Sequence, residues 1–461
     1  MKTNLTEKEI NSLYRWIKRE CSSRFNELKD KHDIFNLKEL DIYFYHEIPK
    51  NIFKLTNIKI LNITNFEIKT LPKEIGNLTN LKELKIRCDN LEELPKEIGK
   101  LSKLEILKID CKNLEKLPEE ICNLTNLKKL DLDCEHLTEL PKVIWNLTNL
   151  KEFYIYSWKL EKLPKEIGNL TKLEELDIGH YTAEELPSEI GKLINLKKLN
   201  INCWNLGEVT KEIGKLTNLK ELVIHDNSYK LKTISKEIGN LSNLEILEIR
   251  FDKLKELPKE IGKLTNLKKL HLKCENLTEL PKEIGNLTNL KQFYIDYDKL
   301  KEISNKIGNL TKLEELKINS DKLKELPKEI GKLINLKQLN IGLIDFRGNC
   351  NNLKKLPSEI GNLTNLKSLN IRCSKLKRLP KEIGNLTKLE ELDIRCDDLK
   401  ELPKEIENCF NLKNFSIESN LNSKDLPMAE IGKLNIENLS MNTTNYFWKE
   451  KRKIKKKRIK K

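Results

Sequence analysis

A unit of about 23 residues recurs along most of this chain of 461 residues, and it constrains the fold more than any other feature. The stretch LPKEIG at 71–76 returns at 94–99. From Leu37 onward the unit reads L-x-x-L-x-I-x-C-x-x-L-x-x-L-P-x-x-I-G-x-L-x-x, and we find 18 starts of it. An internal period of this kind predicts stacked units that share one continuous core, not two or three separate globular domains.

The two halves of the unit predict two kinds of backbone. In L-x-x-L-x-I the apolar residues alternate, which is typical of a short strand with its leucines turned inward. Strands of successive units are expected to pair in parallel at ~4.8 Å. Parallel strands need a crossover, which the L-P-x-x-I-G-x-L half supplies as a short helical or extended return. We therefore predict an α/β solenoid with one parallel sheet on the concave face of a horseshoe.

This pattern resembles the leucine-rich repeat family, and the resemblance covers about residues 36–442. The L-P-x-x-I-G-x-L half is similar to the intracellular class found in Ras-pathway scaffolds and in plant, bacterial and giant-virus repeat proteins. The resemblance implies a solenoid of about 18 repeats that binds proteins and does not catalyse a reaction. It names no partner.

Both ends of the chain depart from the repeat. Thr6-Glu7-Lys8-Glu9 has the pattern of a capping box ahead of an amphipathic stripe, which predicts a helical N-terminal cap over 1–35. An adaptor module that recruits a degradation complex is the alternative for this segment. At the other end, ten Lys or Arg and one Glu lie between Lys449 and Lys461. Since like charges repel, we predict a basic, disordered tail over 443–461.

Cysteine occupies the eighth position of the unit, counted from the first leucine, where this family more often has asparagine one residue later. The set is Cys88, Cys111, Cys134, Cys203, Cys274, Cys373 and Cys396. Alternation after Leu84 and Ile86 turns Cys88 inward, so we predict strands one residue longer and a ladder of buried thiols. A zinc site and a redox ladder are the alternatives, and both lack C-x-x-C spacing.

Composition argues against several classes of function. No stretch is long and apolar enough to span a membrane, and MKTNLTEKEINSLYRW has no apolar signal core. We therefore expect an intracellular protein, cytoplasmic or nuclear and not secreted, whose eleven cysteines are reduced. The six histidines lack metal-ligand spacing, and phosphate loops and G-x-S-x-G elbows are missing. We expect no catalysis, metal, cofactor or small-molecule substrate.

Candidate contact residues lie at strand positions 3, 5 and 7 of three adjacent repeats, which face solvent. They form a predicted acidic patch with two tyrosines at its centre: Asp131, Asp133, Glu152, Tyr154, Tyr156, Glu175 and Asp177. Beside the patch, position 9 is aromatic in three successive repeats: Trp158, Tyr181 and Trp204. Aromatic residues beside charge are typical of interface hot spots, although these three rings could instead only fill the turn.

A stretch of opposite sign follows, with Lys269, His271 and Lys273 beside Arg250, and an ordinary solvated face of mixed charge is the favoured interpretation there. We predict a non-enzymatic protein–protein interaction scaffold that binds a basic partner on its concave face. The alternative is association with nucleic acid or an anionic membrane through Lys449–Lys461.

Overall fold

The computed structural model describes residues 5–21, 28–43, 48–182, 184–227, 230–342, 350–421, 426–443 and 446–451. The chain divides into two compact units, Met1–Ser228 (unit 1) and Tyr229–Lys461 (unit 2). In each unit, successive repeats add parallel strands to an open sheet in chain order.

Unit 1 begins with helix α1 and continues with strands β1 to β9. These elements are α1 Glu7–Glu20, β1 Glu39–Tyr43, β2 Ile60–Thr64, β3 Glu83–Arg87, β4 Ile106–Asp110, β5 Lys129–Asp133, β6 Glu152–Tyr156, β7 Glu175–Tyr181, β8 Lys198–Cys203 and β9 Glu221–Asp226. Its 3₁₀ helices are Lys31–Asn36, Lys50–Lys54, Lys73–Asn77, Lys96–Lys100, Glu119–Asn123, Lys142–Asn146, Lys165–Asn169, Ser188–Lys192 and Lys211–Lys215.

Unit 2 continues the same alternation of strand and 3₁₀ helix. Its strands and its α-helix are β10 Ile246–Phe251, β11 Lys269–Lys273, β12 Gln292–Asp296, β13 Glu315–Asn319, β14 Gln338–Ile341, β15 Ser368–Arg372, β16 Glu391–Arg395, β17 Asn414–Glu418, α2 Met428–Ile431, β18 Asn438–Thr443 and β19 Tyr446–Lys451. Its 3₁₀ helices are Lys236–Asn240, Lys259–Lys263, Lys282–Asn286, Asn305–Asn309, Lys328–Lys332, Ser358–Asn362, Lys381–Asn385 and Lys404–Asn408.

The return half of the repeat shows how the sequence forms this backbone. Pro95, with φ at −66°, starts the 3₁₀ helix Lys96–Lys100, which turns Ile98 into the core. Gly99 follows because successive returns are in close contact: a Cβ at this residue would lie 2.4 Å from the carbonyl oxygen of Glu120 in the next repeat. The close spacing of successive repeats in the sheet therefore also requires glycine in the return half of the repeat, on the side opposite the strands.

The predicted ladder of buried thiols is confirmed, since all seven position-8 cysteines are fully buried. The predicted strand length is wrong for most of these repeats. Strand β3 ends at Arg87, and although the Cys88 N–H still donates to the carbonyl of Asp110 (3.0 Å), its own carbonyl accepts from Leu91 (3.1 Å). Position 8 thus already belongs to the turn. Only β8, which ends at Cys203, includes such a cysteine within the strand.

Cys350 is a further buried thiol, which the 23-residue period did not identify. Seven extra residues precede it in its repeat, and 343–349 lie outside the described residues. Its N–H nevertheless donates to the carbonyl of Arg372 (3.0 Å), as the Cys88 N–H does to Asp110. The signal that could have identified it is C-x-x-L, shared by Cys350–Leu353 and Cys88–Leu91.

The ends of the chain close the first and last repeats. The capping box is confirmed: Thr6 accepts from the N–H of Glu9, whose side chain accepts from the Thr6 N–H. Helix α1 lies against the first repeat, where Asn51 donates to Glu9 (3.2 Å). Strand β19 pairs antiparallel with β18.

The tail prediction covers 443–461, and within it residues 446–451 are extended in β19, while 452–461 lie outside the described residues. A strand can form there because the edge of β18 offers unpaired backbone groups to the chain that follows it. None of the helices in the described part of the chain is both long and apolar enough to cross a membrane.

Candidate functional site

The parallel register of β5, β6 and β7 brings the predicted patch together on the exposed face of the sheet. Tyr154 lies opposite Asp131 on one side and opposite Asp177 on the other. Two residues before Tyr154 and on the same face, Glu152 lies opposite Glu175. Since neighbouring strands are ~4.8 Å apart, Tyr154 has carboxylates on both sides, whereas Tyr156 lies opposite Asp133 on one side and Gly179 on the other.

Tyr154 is held by a network of charged neighbours. Its hydroxyl donates to Oε2 of Glu175 (2.8 Å) and to Oε2 of Glu152 (3.0 Å). The Nζ of Lys129 lies 4.5 Å from the centre of the ring and 2.7 Å from Glu152. Burial, together with the bonds to Glu175 and Glu152, raises the pKa of Tyr154, so the phenol remains protonated. The half-buried ring is therefore fixed before any partner arrives.

Ion pairs within the sheet neutralise three of the five carboxylates of the predicted acidic patch. Asp131, which is nearly buried, pairs with Lys108 (2.9 Å). Glu152 pairs with Lys129 (2.7 Å), and Glu175 with Lys198 (3.3 Å). These pairs are worth only ~0–1 kcal/mol each to stability, but they reduce the charge available to a ligand.

Asp133 differs from its neighbours because its carboxylate has no hydrogen bond or ion pair with any residue that the structure describes. The side chain is exposed at the end of β5. Partial desolvation and the negative charges of Asp110 and Asp131 raise its pKa, against a smaller attraction by Lys108 and His180. Asp133 is thus a point of the patch where a positive charge would relieve repulsion.

Tyr156 lies flat across the neighbouring strand. A Cβ at Gly179 would be 2.0 Å from Cδ1 of Tyr156, so only glycine leaves room for this ring. Asn200 donates to Oδ2 of Asp177 (3.0 Å). Burial raises the pKa of Asp177, and the nearby hydroxyl of Tyr156 and the hydrogen bond from Asn200 only partly oppose that rise. The contact with Gly179 therefore positions the Tyr156 ring.

The predicted aromatic ladder is present in altered form. Trp158 is 41% exposed and Trp204 is 43% exposed, and their ring centres are 5.2 Å apart. His180 stacks on Trp158 at 4.1 Å, with an angle of 24° between the rings. The side chain of Tyr181 lies outside the described residues. We call Trp158, His180 and Trp204 the ring cluster.

A bulge in β7 explains why His180 joins the ring cluster. Ile178 pairs with Ile201 but Tyr181 pairs with Cys203, so β7 has one residue more than β8 over this stretch. His180 has a φ of +57°, in the left-handed region that non-glycine residues rarely adopt. Sequence reasoning assumed an even strand and considered His180 only as a metal ligand.

A groove of about 210 Å³ runs beside Tyr154 on the same face. Its lining includes Asp177, Lys198, Asn200 and Val223. Among the side chains that the structure describes, no group of three or more His, Cys, Asp or Glu is arranged to hold a metal ion. The arrangement offers recognition chemistry: fixed phenols, exposed indoles, an unpaired carboxylate and a shallow groove.

The chain also repeats over a longer interval than 23 residues. Most of 101–200 recurs at 241–340, so that Tyr154 in EFYIY corresponds to Tyr294 in QFYID. This correspondence was missed at the level of single repeats. It separates positions that the repeat keeps from positions that vary, and Asp133 and Trp158 are among those that vary.

Comparisons with known proteins agree with this architecture. Residues 73–162, 154–256, 252–356 and 345–456 match a model of the leucine-rich repeat region. A solved leucine-rich repeat protein of Leptospira interrogans is 32% identical, with a TM-score of 0.69 over 88% of this chain and 96% of that chain. No curated protein matches the sequence.

Two Listeria monocytogenes proteins share the fold at lower identity. An internalin, inlF, is 19% identical over 73% of this chain and 97% of its own, with a TM-score of 0.55. The functional domain of InlJ, which includes a cysteine ladder, is 20% identical over 73% and 67%, with a TM-score of 0.54. This chain belongs to the leucine-rich repeat family, and its fold is an α/β solenoid of about 18 repeats.

Proposed function

We propose that this protein is a non-enzymatic interaction scaffold that binds a basic segment of a partner protein on the exposed sheet face of β5–β8. The leucine-rich repeat fold is commonly a protein-interaction module, and its family is generally non-enzymatic. The observation that carries the proposal is the juxtaposition of fixed tyrosines, exposed tryptophans and an unpaired carboxylate on one face.

The rigidity of these side chains favours binding. Tyr154 is already held by carboxylates and Tyr156 by its contact with Gly179, so a partner would not have to immobilise them. Tyrosine and tryptophan are the residues most enriched in interface hot spots. The negative charge that remains at Asp133 favours a basic partner.

The predicted site residues divide into two roles in this proposal. Direct contacts are Asp133, Tyr154, Tyr156, Trp158 and Trp204, and Tyr181 remains a predicted contact. Asp131, Glu152, Glu175 and Asp177 act mainly through their bonds to Lys108, Lys129, Lys198, Tyr154 and Asn200. Mutation of the second group should weaken binding by loosening the first.

The test is an affinity capture with matched variants, followed by calorimetry with any protein that is retained. The baits are the full chain, Tyr154→Ala with Tyr156→Ala, and Tyr294→Ala as the control at the equivalent position of unit 2. We expect one partner to be lost only with the double variant, with Kd increased at least about tenfold, or ~1.4 kcal/mol. Equal loss with Tyr294→Ala, or no loss with either, would contradict the proposal.

The second candidate is association with nucleic acid or an anionic membrane through Lys449–Lys461, favoured by ten basic residues in this run. Its test is a truncation after Lys451, because 446–451 form β19 and removing them would disturb the last repeat. Binding that disappears with this truncation and weakens steeply with salt would assign the function to the tail. The adaptor role of 1–35 has no comparable support, since Ile10, Leu13 and Ile17 of α1 are buried.

A further inference from the structure

We propose that the ring cluster and Asp133 form a seat for one arginine side chain of the partner. The inference rests on the proposed function and deepens it, because it names the group that the acidic face selects. The guanidinium would lie against the exposed indole faces, with Asp133 supplying the opposite charge.

The geometry of the rings supports a cation site. Both tryptophans keep roughly two fifths of their surface exposed although their centres are only 5.2 Å apart. His180 stacks on Trp158 at 4.1 Å and limits the motion of that indole. Tryptophan is the best aromatic partner for a cation, and a planar guanidinium can stack on it.

The turn does not need the indole of Trp158 to fill it. Ser157, which is buried, donates from Oγ to the carbonyl of Leu137 (2.7 Å) and accepts from the N–H of Lys159 (3.2 Å). These bonds already close the turn between the strand and the return. The indole projects outward from a turn that is complete without it, which argues against a purely structural role.

Unit 2 supplies an independent comparison. The residues equivalent to Trp158 and His180, 140 positions later, are Asp298 and Ser320. Ser320 closes its turn in the same way as Ser157, with bonds to Leu300 (2.7 Å) and Lys322 (3.2 Å). The same repeat therefore folds without these two rings. Their presence in unit 1 is a local addition to the acidic face.

The backbone conformation of His180 also supports a binding role for the ring cluster. A left-handed conformation at a residue with a side chain is unfavourable and persists only where the surroundings impose it. The bulge includes both His180, which stacks on Trp158, and Gly179, which the Tyr156 ring covers. Strain of this kind collects at binding sites.

The charge of Asp133 selects a cation over a neutral group. Asp131 and Asp110 form ion pairs with Lys108 (2.9 Å) and Arg87 (3.3 Å), whereas Asp133 forms none with a described residue and is attracted by Lys108 and His180 only beyond ion-pair distance. The carboxylate and the ring cluster are adjacent, because Asp133 pairs with Tyr156 and the Tyr156 ring lies 6.4 Å from His180.

The test uses three synthetic peptides with the full-length protein. The probe is Gly-Lys-Gly-Arg-Gly-Lys-Gly, and its twins carry citrulline or lysine at the centre. Citrulline keeps the planar shape without the charge, while lysine keeps the charge without the plane. We expect the arginine peptide to bind roughly three- to thirtyfold more tightly than the citrulline peptide, with lysine between them. Binding is followed by calorimetry.

Two variants assign the preference to the seat. Trp158→Leu with Trp204→Leu should abolish the difference between arginine and lysine, and Asp133→Asn should weaken both of those peptides while leaving the citrulline peptide unchanged. Tyr294→Ala is the control and should keep the full order. Far-ultraviolet circular dichroism and the melting temperature establish that each variant is folded.

The outcomes separate this inference from the proposed function. If the probe fails to bind, or if the arginine preference survives in the tryptophan variant, the seat is overturned. If the peptides bind without discrimination but are lost in the Tyr154→Ala and Tyr156→Ala variant, the basic-partner proposal stands and only the seat is overturned. If the Tyr154→Ala and Tyr156→Ala variant also captures the partner as well as the parent protein does, the proposed function fails too.

Discussion

Strand β6 of unit 1 and strand β12 of unit 2 share the central residues Phe-Tyr-Ile but surround their tyrosines with different charges. Tyr154 donates to two carboxylates, those of Glu152 and Glu175. Tyr294 donates to one, Glu315 (2.6 Å), and two lysine Nζ atoms lie 4.5 and 5.7 Å from its ring centre. The same scaffold position thus faces an acidic neighbourhood in one unit and a mixed one in the other.

Several charges on the solvent face of the sheet change between the two stretches, whereas Lys129 and Glu175 recur as Lys269 and Glu315. At an interval of 140 residues, the changed pairs are Lys108 and Glu248, Asp110 and Arg250, Asp131 and His271, Asp133 and Lys273, and Asp177 and Lys317. The buried Phe153 and Ile155 recur unchanged as Phe293 and Ile295. Core positions in these two stretches stay uncharged because an unpaired buried charge is costly, although their volume can change, as where Ser157 recurs as Tyr297. The sheet therefore provides a constant backbone frame on which the charges of the solvent face differ between the two units.

The largest expected effect tests whether the two cores are equivalent. Phe153→Ala and Phe293→Ala should each lower the free energy of unfolding by ~3–5 kcal/mol, because both rings are fully buried and their removal leaves a cavity. Urea unfolding of the full chain, followed by circular dichroism, measures both losses. A difference of more than about 1 kcal/mol between them would show that the frame is not constant.

A steric exchange at the bulge gives the next effect. Gly179→Asn should cost ~1–3 kcal/mol, since any Cβ there collides with Tyr156. The equivalent of this pair in unit 2 is Asp296 with Asn319, which are hydrogen-bonded at 2.7 Å. Adding Tyr156→Asp should recover much of the loss, and the two changes should be strongly non-additive in urea unfolding. Simple additivity would mean that Tyr156 does not occupy the space above Gly179.

A charge exchange sharpens the comparison at the level of binding. Asp133→Lys with Asp177→Lys installs the residues of unit 2, so affinity for the arginine peptide should fall at least about tenfold, or ~1.4 kcal/mol. The reciprocal variant, Lys273→Asp with Lys317→Asp, should not reduce that affinity. Calorimetry measures both. Equal affinities for parent and exchanged protein would remove charge from the explanation.

The smallest effect is a dependence on pH. Because burial raises the pKa of Asp177 above its ordinary value of 3.8, the folded protein binds this proton more readily than the unfolded chain does. The ionised carboxyl is therefore destabilising at neutral pH, and this penalty disappears as the pH falls through the folded pKa toward 3.8. Asp177→Asn should accordingly be more stable than the parent at pH 7, by an amount that shrinks on acidification.

The measurement is the difference between the two proteins in urea unfolding at a series of pH values. An asparagine is compatible with this place, because Asn370 donates to Asn340 (2.7 Å) across the same kind of strand pair in unit 2. A gain in stability that is the same at every pH would contradict the assigned titration.

Much of the candidate site could be predicted because strand alternation and the 23-residue period together fix which residues are neighbours. Asp131, Tyr154 and Asp177 are brought into one row by register alone. What could not be predicted is which carboxylates remain without an ion-pair partner. Lysine side chains are long enough to reach several acids, so the pairing of Lys108 with Asp131 and the isolation of Asp133 depend on side-chain conformations in three dimensions.

The sequence by itself determined the solenoid, the inward cysteines and the row of acids and tyrosines, because these follow from periods of 2 and 23 residues that any reader can count. Only the tertiary structure decided that His180, in a bulge with φ at +57°, would stack on Trp158 beside Asp133. The bulge coincides with a contact between neighbouring strands, because the ring of Tyr156 occupies the space above Gly179 and leaves no room for a Cβ there. Such a contact has no signature within a single repeat, because it joins residues more than 20 positions apart.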